Sequence, residues 1–146
     1  MPTPPCRLFI DTAAFVALFS KKDRNHSTAH DYYASLRKKD QLFTTLLVVS
    51  ETYTWFRYHA GFRAGGDFLD VIDRAVATGW LNVVYPDAAA DAKTRQILRK
   101  HADQDISYVD AASAAVMEER KIKDVFTFDR HFYVLNKRVR PGAYNP

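Results

Sequence analysis

A chain of 146 residues, 47% hydrophobic and 26% charged, has the composition of one folded domain and not of a disordered tail or a fibrous repeat. Its formal charge of +4, from 21 Lys+Arg against 17 Asp+Glu, permits a polyanionic partner without demanding one. The lone cysteine, Cys6, excludes an internal disulfide, and the longest apolar run, 8–19, is broken by Asp11 and too short to cross a bilayer.

The first five residues lack a basic stretch followed by an apolar core, so no signal peptide is expected and a cytoplasmic location is the default. Leu8, Phe9 and Ile10 form the short apolar run of a strand buried on both faces, and the run stops at a carboxylate, Asp11. Residues 12–19 then read as a short helix and 21–25 as a polar loop. Asn25 or Ser27 caps a second helix predicted to reach about residue 39, its buried face carrying Ala29, Tyr32, Tyr33 and Leu36.

A strand is expected at 41–45 and a helix at 46–59, with Leu47, Val48, Glu51, Trp55 and Tyr58 along one stripe. Residues 61–66 carry three glycines and punctuate the chain before a helix at 67–78, which Gly79 stops. A strand at 81–85, a helix at 88–101, an alanine-rich helix at 107–120 and a strand at 125–128 follow. A last short strand falls near 134–139, and 141–146 reads as an irregular tail. Strands alternating with helices imply right-handed βαβ units, hence a single three-layer α/β/α domain over 1–146 with a mainly parallel sheet.

Four acids stand out, each with a purely structural alternative. Asp11 ends a buried-strand pattern, where ligands of open α/β sheets bind, but Asp is also a favoured helix cap. Glu51 interrupts the apolar stripe of its helix, and such a carboxylate is rarely buried unless paired, whether in a site or with an arginine. Asp110 closes a capping box begun at Ser107, which is compatible with a second role as a ligand. Asp129 follows an apolar strand as Asp11 does; its alternative is a turn before Arg130.

Four carboxylates in one crevice would repel each other unless a cation neutralised them, and all-oxygen donors select a hard ion, Mg²⁺ or Mn²⁺. The histidines show no zinc-ligand spacing, and no glycine-rich phosphate loop is present. Lys21, Lys22, Arg24, Arg130 and His131 are candidate contacts to the backbone of a polyanionic partner.

The segments FIDTAAFVALF, VVSETYTWF, ISYVDAASAAVM and VFTFDRHF, in that order over nearly the whole chain, resemble the PIN-domain ribonucleases, particularly VapC-type toxins of toxin–antitoxin pairs. The resemblance implies a metal-dependent endoribonuclease with Asp11, Glu51, Asp110 and Asp129 as catalytic and metal-binding carboxylates. Thr12 and Thr127 would be supporting hydroxyls, and Asp105 falls where some members carry a further acid. It also implies a homodimer, restrained by a small antitoxin protein. Three alternatives stay open: a phosphoacceptor switch domain, a silent RNA- or protein-binding module, and an RNA-processing nuclease without a toxin role.

Overall fold

The computed structural model describes residues 3–142. In chain order its elements are β1 (Arg7–Ile10), α1 (Thr12–Phe19), α2 (His26–Ala34), β2 (Gln41–Thr45), α3 (Leu46–Ala60), α4 (Phe62–Ala77), β3 (Leu81–Val84), α5 (Ala88–Lys100), α6 (Tyr108–Glu119), β4 (Asp124–Phe126), α7 (His131–Val134) and β5 (Arg138–Arg140). The strands form one sheet in the order β3-β2-β1-β4-β5, and every pairing is parallel. Leu8 and Phe9, which point to opposite faces of β1, are both fully buried, as a sheet covered by helices on both sides requires. This is the expected three-layer α/β/α architecture.

The chain winds from β1 through β2 to β3 on one side, then returns to place β4 on the other side of β1. The switch point therefore lies between β1 and β4, and ligands of open α/β sheets bind beyond the strand ends at such a point. The register pairs Ile10 with Phe126, so the residues that follow each, Asp11 and Thr127, emerge side by side.

Several boundaries differ from expectation, each for a local reason. α2 ends at Ala34 instead of near residue 39, because the chain beyond it is tied to the entrance of β1. The buried Asp40 carboxylate accepts hydrogen bonds from the Cys6 N–H at 2.8 Å and from the Arg37 N–H at 2.8 Å, and pairs with the Arg37 guanidinium at 2.9 Å. β4 spans Asp124–Phe126, not 125–128, since the hydroxyl of Thr127 turns the chain at the strand's end. The strand expected near 134–139 is replaced by α7 and β5. Asn136, at φ 60°, ends α7, and the Lys137 N–H donates back to the Phe132 carbonyl at 3.0 Å. Arg140 lies in β5, and residues 143–146 of the expected tail fall outside the described residues.

Of the three glycines at 61–66, only Gly61, at φ 92°, breaks the chain; Gly65 and Gly66 lie within α4. A Cβ on Gly65 would come 2.9 Å from the ring of Tyr53, whereas one on Gly66 meets nothing within 4 Å. Gly66→Ala should therefore stabilise the fold by about 0.5–1 kcal/mol through helix propensity. Gly65→Ala should gain nothing or lose stability, and urea denaturation of the two variants checks both.

Candidate metal centre

Asp11 is placed by strand register and stands at the N-cap position of α1, but its side chain is turned to other partners. Its backbone N–H donates to the Phe126 carbonyl at 3.1 Å, continuing the parallel ladder one residue past β1. Its side chain makes no cap hydrogen bond to α1 and is 2% exposed. Oδ2 accepts from the Thr127 hydroxyl at 2.9 Å, while the buried Oδ1 has no well-formed hydrogen bond among the described residues. The buried Thr12 hydroxyl is likewise unpartnered. Burial above all, then the Asp110 carboxylate, pushes the Asp11 pKa up to about 7, against the opposing pull of the Thr127 hydroxyl.

Thr127 is the junction of the two strand ends. The same hydroxyl that donates to Asp11 accepts the Asp129 N–H at 3.0 Å. Valine at this position keeps the shape and strands both partners. Thr127→Val should cost about 1–3 kcal/mol of stability and displace both carboxylates, whereas Thr127→Ser should keep most of each function. Denaturation curves and metal-dependent cleavage rates of the pair check this.

Asp110 enters from α6. The Ser107 hydroxyl accepts its N–H at 3.0 Å, which fixes the first turn as the expected cap. The carboxylate is buried at 7% exposure, and its pKa is raised to about 6, chiefly by burial and then by the charge of Asp129, with Glu51 a smaller contributor. Asp129 sits after β4, and His131 addresses it twice. The His131 N–H donates to Asp129 Oδ1 at 2.9 Å, and ring Nδ1 lies 3.1 Å from that oxygen and 3.7 Å from Asp110 Oδ2. One ligand atom from each of Asp110, Asp129 and His131 lies within 4.8 Å of the others, close enough for one ion.

Glu51 also lines this crevice, of about 380 Å³, together with Asp11, Thr12, Asp110 and Asp129. The expectation that it lies on the buried stripe of its helix is corrected. The buried stripe of α3 is Val48, Val49, Thr52 and Phe56, so Glu51 is exposed at the crevice and Tyr58 faces solvent. The helix is rotated relative to the predicted phase, and this keeps the Glu51 charge hydrated. Burial therefore does not account for an acid at this position, which lines the crevice.

The residues suit a hard divalent cation on two grounds: crowded carboxylate oxygens with raised pKa values, and a buried carboxylate oxygen of Asp11 without a well-formed hydrogen bond among the described residues. Lys21, Lys22 and Arg24 are exposed on the turn after α1, beside Asp23 and Asn25, which line the crevice. Arg130 is exposed next to Asp129. Asp105 is exposed in the segment before α6 and is not among the crevice-lining residues. Sequence reasoning missed Asp23, Asn25 and Trp55 as crevice residues. The only signal for the first two was a polar turn after the first helix, and for Trp55 its position four residues beyond Glu51.

A family model described as PIN domain matches residues 8–138. The chain is 30% identical over 126 residues to the 23S rRNA-specific endonuclease VapC20 of Mycobacterium tuberculosis, covering 86% of this chain and 91% of that protein. It is 32% identical over 126 residues to the VapC ribonuclease of Archaeoglobus fulgidus, covering 84% and 77% respectively. The crystal structure of Mycobacterium tuberculosis VapC20, described as a sarcin-ricin loop cleaving toxin, matches with a TM-score of 0.78 at 28% identity over 89% of this chain and 95% of that one. Rickettsia felis VapBC2 bound to a promoter DNA fragment shares the fold, with a TM-score of 0.66 at 12% identity, over 92% and 97%. With a match spanning nearly all of the strands and helices, the chain belongs to the PIN-domain family, among its VapC-type ribonucleases.

Proposed function

We propose that this chain is a divalent-metal endoribonuclease acting as the toxin of a toxin–antitoxin pair, with Asp11, Glu51, Asp110 and Asp129 as its catalytic carboxylates and Mg²⁺ or Mn²⁺ as the ion. The observation that carries this reading is the convergence of acids from β1, α3, α6 and the end of β4 on one crevice, with a buried Asp11 oxygen, Oδ1, that meets no well-formed hydrogen bond among the described residues. When bound, the ion supplies a Lewis acid for the phosphodiester and a water acidic enough to ionise near neutral pH.

The chain's own residues do the positioning. Thr127 holds Asp11 and Asp129 in one arrangement, and His131 orients Asp129 from the other side. Lys21, Lys22 and Arg24 near the crevice would hold phosphates flanking the cut, with Arg130 beside Asp129. Asp105 has no part in this scheme. The substrate is a single-stranded or looped RNA, because side chains cannot read the deep groove of duplex RNA. A loop in 23S rRNA is the first to test, since the VapC20 relative is named for that RNA. The protein works in the cytoplasm as a homodimer, restrained by a small antitoxin.

Cleavage of a ribosomal RNA loop with Mg²⁺ or Mn²⁺ should stop on adding EDTA and fall at least a hundredfold in Glu51→Gln, the order of magnitude for losing a group that acts in the transition state. Undiminished cleavage in EDTA would overturn the proposal. A small protein encoded beside this gene that co-purifies with the chain and blocks cutting is the expected antitoxin.

A further inference from the structure

The crevice has a second half that the carboxylates do not explain. Ala13, Val16, Trp55 and Phe128 line it beside the acids, and Asn25 adds an amide. The basic residues near the crevice would hold only the phosphates and do nothing to place a base. An apolar, aromatic wall can add attraction that does not depend on charge, through the bases. Base–aromatic stacking supplies it, and it tolerates sequence because every base has a π-face.

Trp55 is built as such a platform. It lies one turn beyond Glu51 on the same face of α3, since residues four apart are neighbours on a helix. Its ring is stacked on that of His59, with centroids 4.2 Å apart and an interplanar angle of 12°. Phe56 meets it edge-on at 5.2 Å and 90°. His59 is in turn held by a hydrogen bond between Nδ1 and the Trp55 carbonyl at 2.8 Å. A tryptophan present only to fill the core would be buried with its N–H satisfied. Trp55 is half-buried, lines the crevice, and its indole N–H has no hydrogen-bond partner among the described residues. Asn25 precedes α2 but makes no side-chain cap bond, so its amide keeps a donor and an acceptor for a base edge.

We propose that Trp55, backed by His59 and accompanied by the Asn25 amide, forms a nucleobase subsite that seats a base beside the scissile phosphate of a single-stranded RNA segment. The proposal rests on the ribonuclease reading for its substrate. It goes further in assigning the aromatic half of the crevice and in predicting that affinity survives salt better than phosphate contacts alone allow.

The chain has two tryptophans, and the second, Trp80, hydrogen-bonds to Tyr33 and does not line the crevice. Trp80→Phe therefore leaves Trp55 as the only indole reporter. With cleavage blocked by EDTA, a short single-stranded oligoribonucleotide should quench its emission, and an abasic ribose-phosphate strand of the same length should not. In steady-state cleavage with Mn²⁺, Trp55→Ala should raise KM about tenfold while kcat changes less, and Trp55→Phe should stay within about threefold of wild type. Trp55→Leu, which fills the same wall without a π-face, should follow the alanine variant and separates stacking from folding. Equal quenching by the abasic strand, no quenching while the oligonucleotide still binds by anisotropy, or an unchanged KM in Trp55→Leu would each overturn the subsite. Base-dependent quenching without any metal-dependent cleavage would instead sink the ribonuclease reading and leave the subsite standing.

Discussion

Asp11→Asn should abolish metal-dependent RNA cleavage and, in the same protein, raise the stability of the metal-free fold at neutral and alkaline pH. Both effects come from one carboxylate. Asp11 is buried beside Asp110, and its pKa stands at about 7 in the folded chain against roughly 3.9 when exposed. Below about pH 4 the group is protonated in both states and costs nothing. Between about pH 4 and 7 the unfolded chain releases a proton that the folded chain keeps, so wild-type stability falls as pH rises through that window. Above about pH 7 the penalty is complete, on the order of a few kcal/mol.

Asparagine keeps the shape and still accepts the Thr127 hydroxyl bond, but it never ionises. In EDTA the melting temperature of Asp11→Asn should exceed that of wild type by several degrees at pH 8, and the two should converge near pH 4. Cleavage with Mg²⁺ should fall to the level of the EDTA control. A variant that still cuts RNA, or that melts below wild type at pH 8, would remove Asp11 from the centre of the site.

Divalent-ion binding should be steeply pH-dependent, and the ion should stabilise the protein at pH 8 but hardly at pH 5. A carboxylate must lose its proton to become a ligand. Two of the proposed ligands hold theirs to unusually high pH: Asp110 to about 6, chiefly through burial, and Asp11 to about 7. Between pH 5 and 6 each bound ion should displace between about one and a half and two protons, and the apparent affinity should rise by roughly fiftyfold across that pH unit. The slope should flatten above pH 7. Calorimetric titration with Mn²⁺ in two buffers of different ionisation heat measures the protons released. At an ion concentration of about 100 times Kd, binding should add roughly 2.7 kcal/mol at pH 8, readable as a shift of the thermal transition. An affinity flat from pH 5 to 8 would mean that the ion, if bound, is held elsewhere.

Much of the fold was legible because the two strongest local patterns agree. The segments at 8–10 and 125–126 are apolar without alternation, as strands buried on both faces must be, and each is followed within three residues by an acid. The errors cluster where tertiary contacts outrank local preference. Glycines at 65 and 66 suggested a loop, yet Gly65 packs under Tyr53 inside a helix, where an added Cβ would force the ring to shift. The segment after Ala34 has no helix breaker; the Arg37–Asp40 clasp on Cys6 stops α2 there. The phase of α3 was misread because Trp55 and Tyr58 look like core residues, while the face that is buried carries Val49 and Thr52.

By itself, then, the sequence determined which central strands are buried, the order in which helices and strands alternate as far as β4, and that two of those strands are closely followed by carboxylates, because each is a matter of neighbours along the chain. Only the tertiary structure decided that β4 returns to the side of β1, that one threonine hydroxyl ties the two strand ends together, and that Glu51 and Trp55 share a wall of the same crevice. Strand order and helix rotation depend on how apolar surfaces fit against one another across long sequence separations, and a hydrophobic period of 3.6 or 2 residues carries no record of that fit.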